Sequence, residues 1–129
     1  IQKIDTKLNK LQQELSKINE QKVKNKIKSI INNTQNILNL YHQNDQTINN
    51  RVALKNSLSS TENILEQFII LTSYSQIEPE QRNKVIDSLD NINHYIKSIM
   101  DSNLEDTELQ LEVEMDVLDS EINSVDLLE

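Results

Sequence analysis

The sequence contains two histidines, whose side chains can act as acids, bases or metal ligands. Neither belongs to a recognisable catalytic pattern. His94 follows Asp90 by four residues, which places both on one face of a helix and could support one base or one weak metal ligand. His42 begins a polar, turn-prone run. Because a metal site needs three or four converging ligands, we expect both histidines to be surface residues.

Small hydroxyl residues cluster between positions 57 and 61. The cluster consists of Ser57, Ser59, Ser60 and Thr61. A nucleophilic hydroxyl needs an adjacent base and a third group that orients that base. A chain without glycine also offers neither a nucleophile elbow nor a phosphate-binding loop. We therefore expect the cluster to form a packing strip between helices.

Polar residues after position 100 partly match a calcium-binding loop. The match consists of Asp101, Asn103, Glu105 and Asp106. The glycine and the spaced terminal glutamate of such a loop are absent, so solvated charge is the simpler interpretation. The sequence thus assigns no catalytic residue, no cofactor and no metal ligand.

The composition predicts an all-α domain with an aliphatic core. The chain has 129 residues, no glycine, one proline and no cysteine, and only 3% of its residues are aromatic. Sheets need glycine at tight turns and bulges, so its absence favours helices joined by short polar turns. The length suits one domain, and the lack of cysteine excludes disulfides and thiolate metal sites.

Apolar spacing predicts an elongated bundle of three to four long antiparallel helices. The first helix has a heptad seam made of Ile1, Ile4, Leu8, Leu11, Leu15 and Ile18. The apolar phase slips near Asn19, where we expect a turn or kink and a cap for a second helix over residues 20–41. That helix would bury Val23, Ile27, Ile30 or Ile31, Thr34, Ile37 or Leu38, and Tyr41.

Two further helices follow a polar turn that holds His42. Asn44 or Asp45 can cap a third helix over residues 46–73, and Pro79 suits the first position of a fourth helix that ends near residue 103. The predicted stripe of the third helix is Ile48, Val52, Leu58, Thr61, Leu65, Phe68 and Leu71 or Thr72. The predicted stripe of the fourth is Val85, Leu89, Ile92, Ile96 and Ile99.

Residues 105–129 form an acidic segment that packs on, or extends, the helical region of residues 1–104. One reading is a strand, because Leu109, Leu111, Val113, Met115 and Val117 alternate with polar residues. The other is a helix, because Leu111, Met115, Leu118, Ile122 and Val125 follow 4-3-4-3 spacing. With no partner strand in the chain, we expect extended chain over residues 104–108 and then a short acidic helix.

The net charge of −8 conceals a basic segment at the start of the chain and an acidic segment at its end. Residues 1–30 hold eight lysines and three acidic residues, whereas residues 105–129 hold ten acidic residues and no lysine or arginine. The lysines could meet anionic lipid or could dock on the acidic segment of the same or a neighbouring chain. Nucleic acid is a poorer match, because the chain has only two arginines and few rings.

The chain begins at Ile1 rather than at methionine, so we expect a further segment upstream in the full protein. Its abundant asparagine, isoleucine and lysine are typical of AT-rich codons and indicate a low-GC bacterium. No window has the roughly 20 apolar residues that cross a bilayer.

The order of several motifs resembles the C-terminal domain of the XpaC family, the 5-bromo-4-chloroindolyl phosphate hydrolysis proteins. The resemblance spans about residues 15–122 and rests on the lysine-rich run over residues 18–31, on Ile64 to Phe68, and on the acidic stretch over residues 109–119. It implies a transmembrane portion upstream of Ile1, a location on the cytoplasmic face of the membrane, and a partner among the TelA-like toxic-anion-resistance proteins. The family name also implies hydrolysis of aryl phosphates, for which the residues themselves offer no nucleophile, metal or anion-binding loop.

These observations favour a membrane-tethered helical module that binds a protein partner rather than catalysing a reaction. The residues predicted to contact the partner are Leu111, Glu112, Glu114, Met115, Asp116 and Leu118. An equal alternative for the three apolar members is packing on the bundle. Two other functions stay open, an aryl phosphate hydrolase and a coiled-coil scaffold that self-associates through the seam of residues 1–18.

Overall fold

The computed structural model describes residues 3–41 and 47–128, and within them the chain is all-α. The four helices of this part are α1 (Ile4–Glu14), α2 (Gln21–Leu40), α3 (Arg51–Tyr74) and α4 (Pro79–Leu128). A 3₁₀ turn, Leu15–Lys17, follows α1. Among the described residues, no helix combines the length and the hydropathy that spanning a bilayer requires.

Cross-helix contacts show that the helices run up, down, up and down. Lys7 contacts Ser59 and Lys10 contacts Glu62, so numbering rises together along α1 and α3 and these two helices are parallel. The same holds for α2 and α4, where Glu20 pairs with Arg82 and Asn33 pairs with Asn93. Asn49, just before α3, contacts Asn103 late in α4, so helices adjacent in sequence are antiparallel, as predicted. The parallel pairs α2–α4 and α1–α3 share the closest packing.

One aliphatic core runs through the bundle and confirms most of the predicted stripes. The described residues of the first seam are all buried, and so are the aliphatic residues and Thr34 of the α2 stripe. Leu58, Thr61, Leu65 and Phe68 are buried on α3, as are Leu89, Ile96 and Ile99 on α4. Burial of an aliphatic side chain contributes about 1.5–3 kcal/mol, so these stripes supply most of the stabilisation.

The start of α3 differs from its prediction. The helix begins at Arg51, and Val52 is 64% exposed because the buried stripe starts instead at Leu54. Ile48 is buried but lies in the connection before the helix. Asn50 precedes α3 with φ 62° and ψ 33°, a left-handed conformation that asparagine tolerates better than most residues. The predicted caps Asn44 and Asp45 lie outside the described residues.

The predicted break near Asn19 is confirmed, but the predicted cap is wrong. The residue before α2 is Glu20, whose side chain does not cap the helix. Instead its carboxylate binds Arg82 of α4 through two contacts of 2.9 and 2.6 Å. A bidentate arginine–carboxylate pair is a stronger interaction than a neutral cap, and it joins the first turns of α2 and α4.

Helix α4 also corrects the prediction of extended chain over residues 104–108. It begins at Pro79, as predicted, and continues without interruption to Leu128. The last buried side chain is that of Asn103, and every described side chain from Thr107 to Val125 is exposed. The acidic segment is therefore a continuation of α4 past the end of the bundle. Residues 104–128 are called the extension below.

Candidate functional site

Asn103 marks the point at which α4 leaves the bundle, and its buried side chain is fully hydrogen-bonded. Its Oδ1 accepts from the Tyr41 hydroxyl at 2.6 Å and from the backbone N–H of Asn49 at 2.9 Å. Its Nδ2 donates to the carbonyls of Asn49 at 3.2 Å and Ile99 at 2.8 Å. This cluster ties the end of α2 and the connection before α3 to the root of the extension.

Two contacts of the Asn49 side chain reinforce that root. Its Nδ2 donates to the Ser102 hydroxyl at 3.1 Å and to Asp106 Oδ2 at 2.9 Å. Burial raises the pKa of the Tyr41 phenol, and the nearby Asp106 carboxylate raises it further. The residues that partly match a calcium-binding loop thus lie on a continuous helix, and two of them, Asn103 and Asp106, bind side chains or backbone of the chain itself.

The extension carries an apolar stripe along its whole length. At about 100° per residue, six side chains fall on one face, and we call them the long stripe: Leu104, Leu111, Met115, Leu118, Ile122 and Val125. All six are exposed, between 39% for Leu104 and 57% for Leu111 and Val125. The three apolar residues predicted to contact a partner lie within it, so the structure does not place them against the bundle.

A second apolar stripe lies on the opposite side of the extension. Leu109, Val113 and Val117, the short stripe, are turned roughly 160° from the long stripe and are each about half exposed or more. This arrangement explains the strand-like alternation of the sequence. Each of the two opposite faces carries apolar residues spaced four apart, and the two sets are offset by two positions. Along the sequence, the combined sets therefore alternate with polar residues.

Acidic side chains occupy the flank between the two stripes. Glu105, Glu108, Glu112, Asp116 and Asp119 follow one another at steps of three or four residues and form what we call the acidic row. Of the acidic residues predicted to contact a partner, Glu112 and Asp116 belong to this row. Glu114 lies on the other flank, near Glu121, so the six predicted residues do not share one face.

The lysines of residues 1–30 that pair with acidic side chains do so within the bundle rather than with the extension. Lys10 contacts Glu62 and Glu66, and the hydrogen bond that its ammonium donates to Glu62 raises the pKa of the lysine. Lys26 pairs with Asp90 at 2.8 Å. The acids that meet these two lysines therefore lie on α3 and on the bundle portion of α4. Lys3, Lys22 and Lys28 are exposed.

The other residues with chemical potential have structural roles or lie at the surface. His94 is exposed, and His42 lies outside the described residues. The hydroxyls of Ser57 and Thr61 donate to carbonyls one turn earlier in α3, at 2.9 Å each. Both residues are buried, as predicted for a packing strip, but Ser59 is only half-buried and Ser60 is exposed. Within the described residues, no three His, Cys, Asp or Glu side chains converge as metal ligands.

A cleft of about 600 Å³ lies where α1 and α3 end and where α2 and α4 begin. It contains two cations, Lys17 and Arg82, which are the natural candidates to bind a phosphate. Lys17 pairs with Glu14 at 3.2 Å and Arg82 with Glu20, so both carry a carboxylate already. Thr72 and Ser73, the nearby hydroxyls, donate to carbonyls of α3. These cations and hydroxyls of the cleft are therefore engaged within the chain itself.

An apolar groove of about 400 Å³ runs between α3 and α4 near the same end. Ile64, Phe68, Leu71 and Val85 supply most of its wall, and Leu71 is 46% exposed. The groove is a second exposed apolar feature, but it is far shorter than the extension. It provides a useful site for control substitutions.

Comparison of the chain with protein-family models, with curated proteins and with solved structures gives no match.

Proposed function

We propose that this chain is a helical interaction module that binds a protein partner through the extension of α4. One observation carries the proposal. Nine large apolar side chains between Leu104 and Val125 are exposed on a helix that the bundle does not cover. Contiguous exposed apolar surface of this kind marks interaction sites in proteins, and helices with apolar faces commonly dock against other helices.

The resemblance to the XpaC family gives this module its context. On that basis the chain is the cytoplasmic part of a bacterial protein tethered to the membrane by a segment upstream of Ile1, and its partner is a TelA-like protein. The exposed Lys3, which directly precedes α1, would contribute attraction to anionic lipid, about 1 kcal/mol when close to the surface.

The fold adds a geometric consequence to that context. α1 runs parallel to α3, and the connection that precedes α3 binds Asn103 at the root of the extension. α1 therefore begins at the end of the bundle from which the extension projects. An anchor placed ahead of α1 would hold the extension, and with it the partner, on the membrane side of the bundle.

A titration of the whole chain with a purified TelA-like protein tests the proposal. We expect binding that the combined substitutions Leu111→Ser, Met115→Ser and Leu118→Ser weaken by at least about tenfold, because they remove three adjacent apolar contacts. The matched control is Ile70→Ser with Leu71→Ser, which changes equally exposed residues near the α3–α4 groove.

The outcome separates the two apolar surfaces. Loss of binding in the extension variant but not in the control supports the proposal. Loss of binding in the control variant alone would assign the contact to the α3–α4 groove. Equal affinity of the unsubstituted chain and both variants would refute a role for the extension.

A further inference from the structure

The apolar surface of the extension is not a continuation of the bundle seam. The seam of α4 ends at Ile99 and Asn103, and the positions that would prolong it are Asp106, Gln110 and Glu114. The long stripe is offset from the seam by roughly a quarter turn. The bundle helices of this chain therefore cannot cover the extension by simple elongation of their own packing.

Two opposite stripes require more than one neighbour. A single helix packed on the long stripe would leave Leu109, Val113 and Val117 in water, since they lie roughly 160° away. A helix that is apolar on two sides is typical of a central position between neighbours. The geometry thus calls for a covering element on each side.

The charge of the extension indicates which side chains the covering elements should carry. The segment of residues 105–129 holds ten acidic residues and no lysine or arginine. The acidic row stands beside both stripes, so a second copy of the extension would bring like charges into the flanking positions of the contact, which disfavours pairing. Lysine or arginine in the flanking positions of a partner helix would face the same row favourably.

The acidic row also carries a local cost that a basic partner removes. Glu108, Glu112 and Asp116 follow at intervals of four, and like charges at this spacing destabilise a helix. Without basic residues in the segment, no ion pair within it offsets this repulsion. Cations supplied from outside would relieve the repulsion and add favourable pairing along the same flank.

We propose that the extension is the central helix of an assembly in which two basic amphipathic helices of the partner cover its long and short stripes. This inference rests on the proposed function and specifies the chemistry and stoichiometry of the partner. Each covering helix has aliphatic residues at its inner heptad positions and lysine or arginine at the flanking positions. A helical hairpin of the partner would supply both at once.

Titration calorimetry of the whole chain with a designed helical probe peptide tests this inference. The probe has leucine at the a and d positions of three heptads and lysine at e and g. One control peptide has glutamate in place of the lysines, and another has serine in place of the leucines. We expect two lysine–leucine peptides to bind per chain and neither control peptide to bind.

Matched triple variants assign the two sites. Leu111→Ser, Met115→Ser and Leu118→Ser should weaken one site on the order of 100-fold. Leu109→Ser, Val113→Ser and Val117→Ser should weaken the other site to a similar extent. Circular dichroism of both variants verifies that the bundle is folded. Both triplets are exposed, so the substitutions spare the core.

Other results would overturn the inference in distinguishable ways. One peptide per chain, lost only in the long-stripe variant, would refute two-sided coverage and leave the proposed interaction surface intact. Equal binding of the glutamate peptide would refute the basic partner, and a dimer of the chain alone that the long-stripe variant dissociates would replace that partner with a second copy. Absence of any binding by the probe would refute the inference, and the proposed function would fail separately only if the TelA-like protein also did not bind the extension.

Discussion

Replacing Asn103 tests whether a single buried amide holds the root of the extension. In Asn103→Ala, the Tyr41 hydroxyl and the backbone N–H and carbonyl of Asn49 lose their partners, while the Ile99 carbonyl keeps its helical hydrogen bond. Each lost hydrogen bond costs about 1 kcal/mol, or more where the orphaned group stays buried. Alanine recovers roughly 0.6 kcal/mol through its higher helix propensity. The net expected loss is about 2–3 kcal/mol.

Urea unfolding followed by far-UV circular dichroism measures this loss. With a slope of about 2 kcal/mol per molar urea, the midpoint should fall by roughly 1–1.5 M. Asn91→Ala is the matched control, because Asn91 lies on the same helix with an exposed side chain, and it should raise stability by roughly 0.6 kcal/mol through helix propensity alone. A midpoint for Asn103→Ala equal to that of the control would show that the cluster does not stabilise the bundle.

Three further predictions address the bundle, its response to pH and the hydrolase alternative. Leu11→Ala should destabilise the chain by about 2–5 kcal/mol without changing its mass in light scattering, because Leu11 is buried in this chain's own core; a reduced mass would indicate self-association through the first seam. The raised pKa values of Tyr41 and Lys10 mean that the fold favours their protonated forms, so that stability should be full below about pH 10 and fall as pH rises through the folded pKa values. Tyr41→Phe should make this alkaline loss smaller in urea unfolding at several pH values, and an unchanged pH profile would contradict the burial of the phenol. Incubation with nitrophenyl phosphate, with and without divalent metal, should give no turnover; activity that survives repurification would favour the hydrolase.

The bundle could be predicted from the sequence because its helices obey simple spacing rules. Leu8, Leu11 and Leu15 repeat at heptad intervals and are buried, and Pro79 opens α4 as its fixed φ suggests. Val52 shows where this reasoning fails. It fits a helical pattern with its neighbours, but the connection before Arg51 sets a different start for α3 and leaves Val52 in water.

The extension was harder to predict because two periodicities overlap in it. Leu111 and Met115 belong to one helical stripe and Val113 and Val117 to another, and together they imitate the alternation of a strand. The residues of the short stripe were therefore missed as candidates for partner contact, although their spacing of four could have identified them. The bond from Tyr41 to Asn103 had no sequence signature, since it joins residues that only the tertiary fold brings together.

Amide hydrogen exchange on the whole chain, alone and with a saturating TelA-like protein, tests the central claim most directly. In the free chain, the extension should exchange faster than the bundle, because no tertiary contact protects the helix from Thr107 to Val125. The partner should slow exchange throughout residues 104–125 and leave α1 and α2 unchanged. Protection confined to the α3–α4 groove, with the extension exchanging as fast as before, would contradict the assignment of the extension as the binding surface.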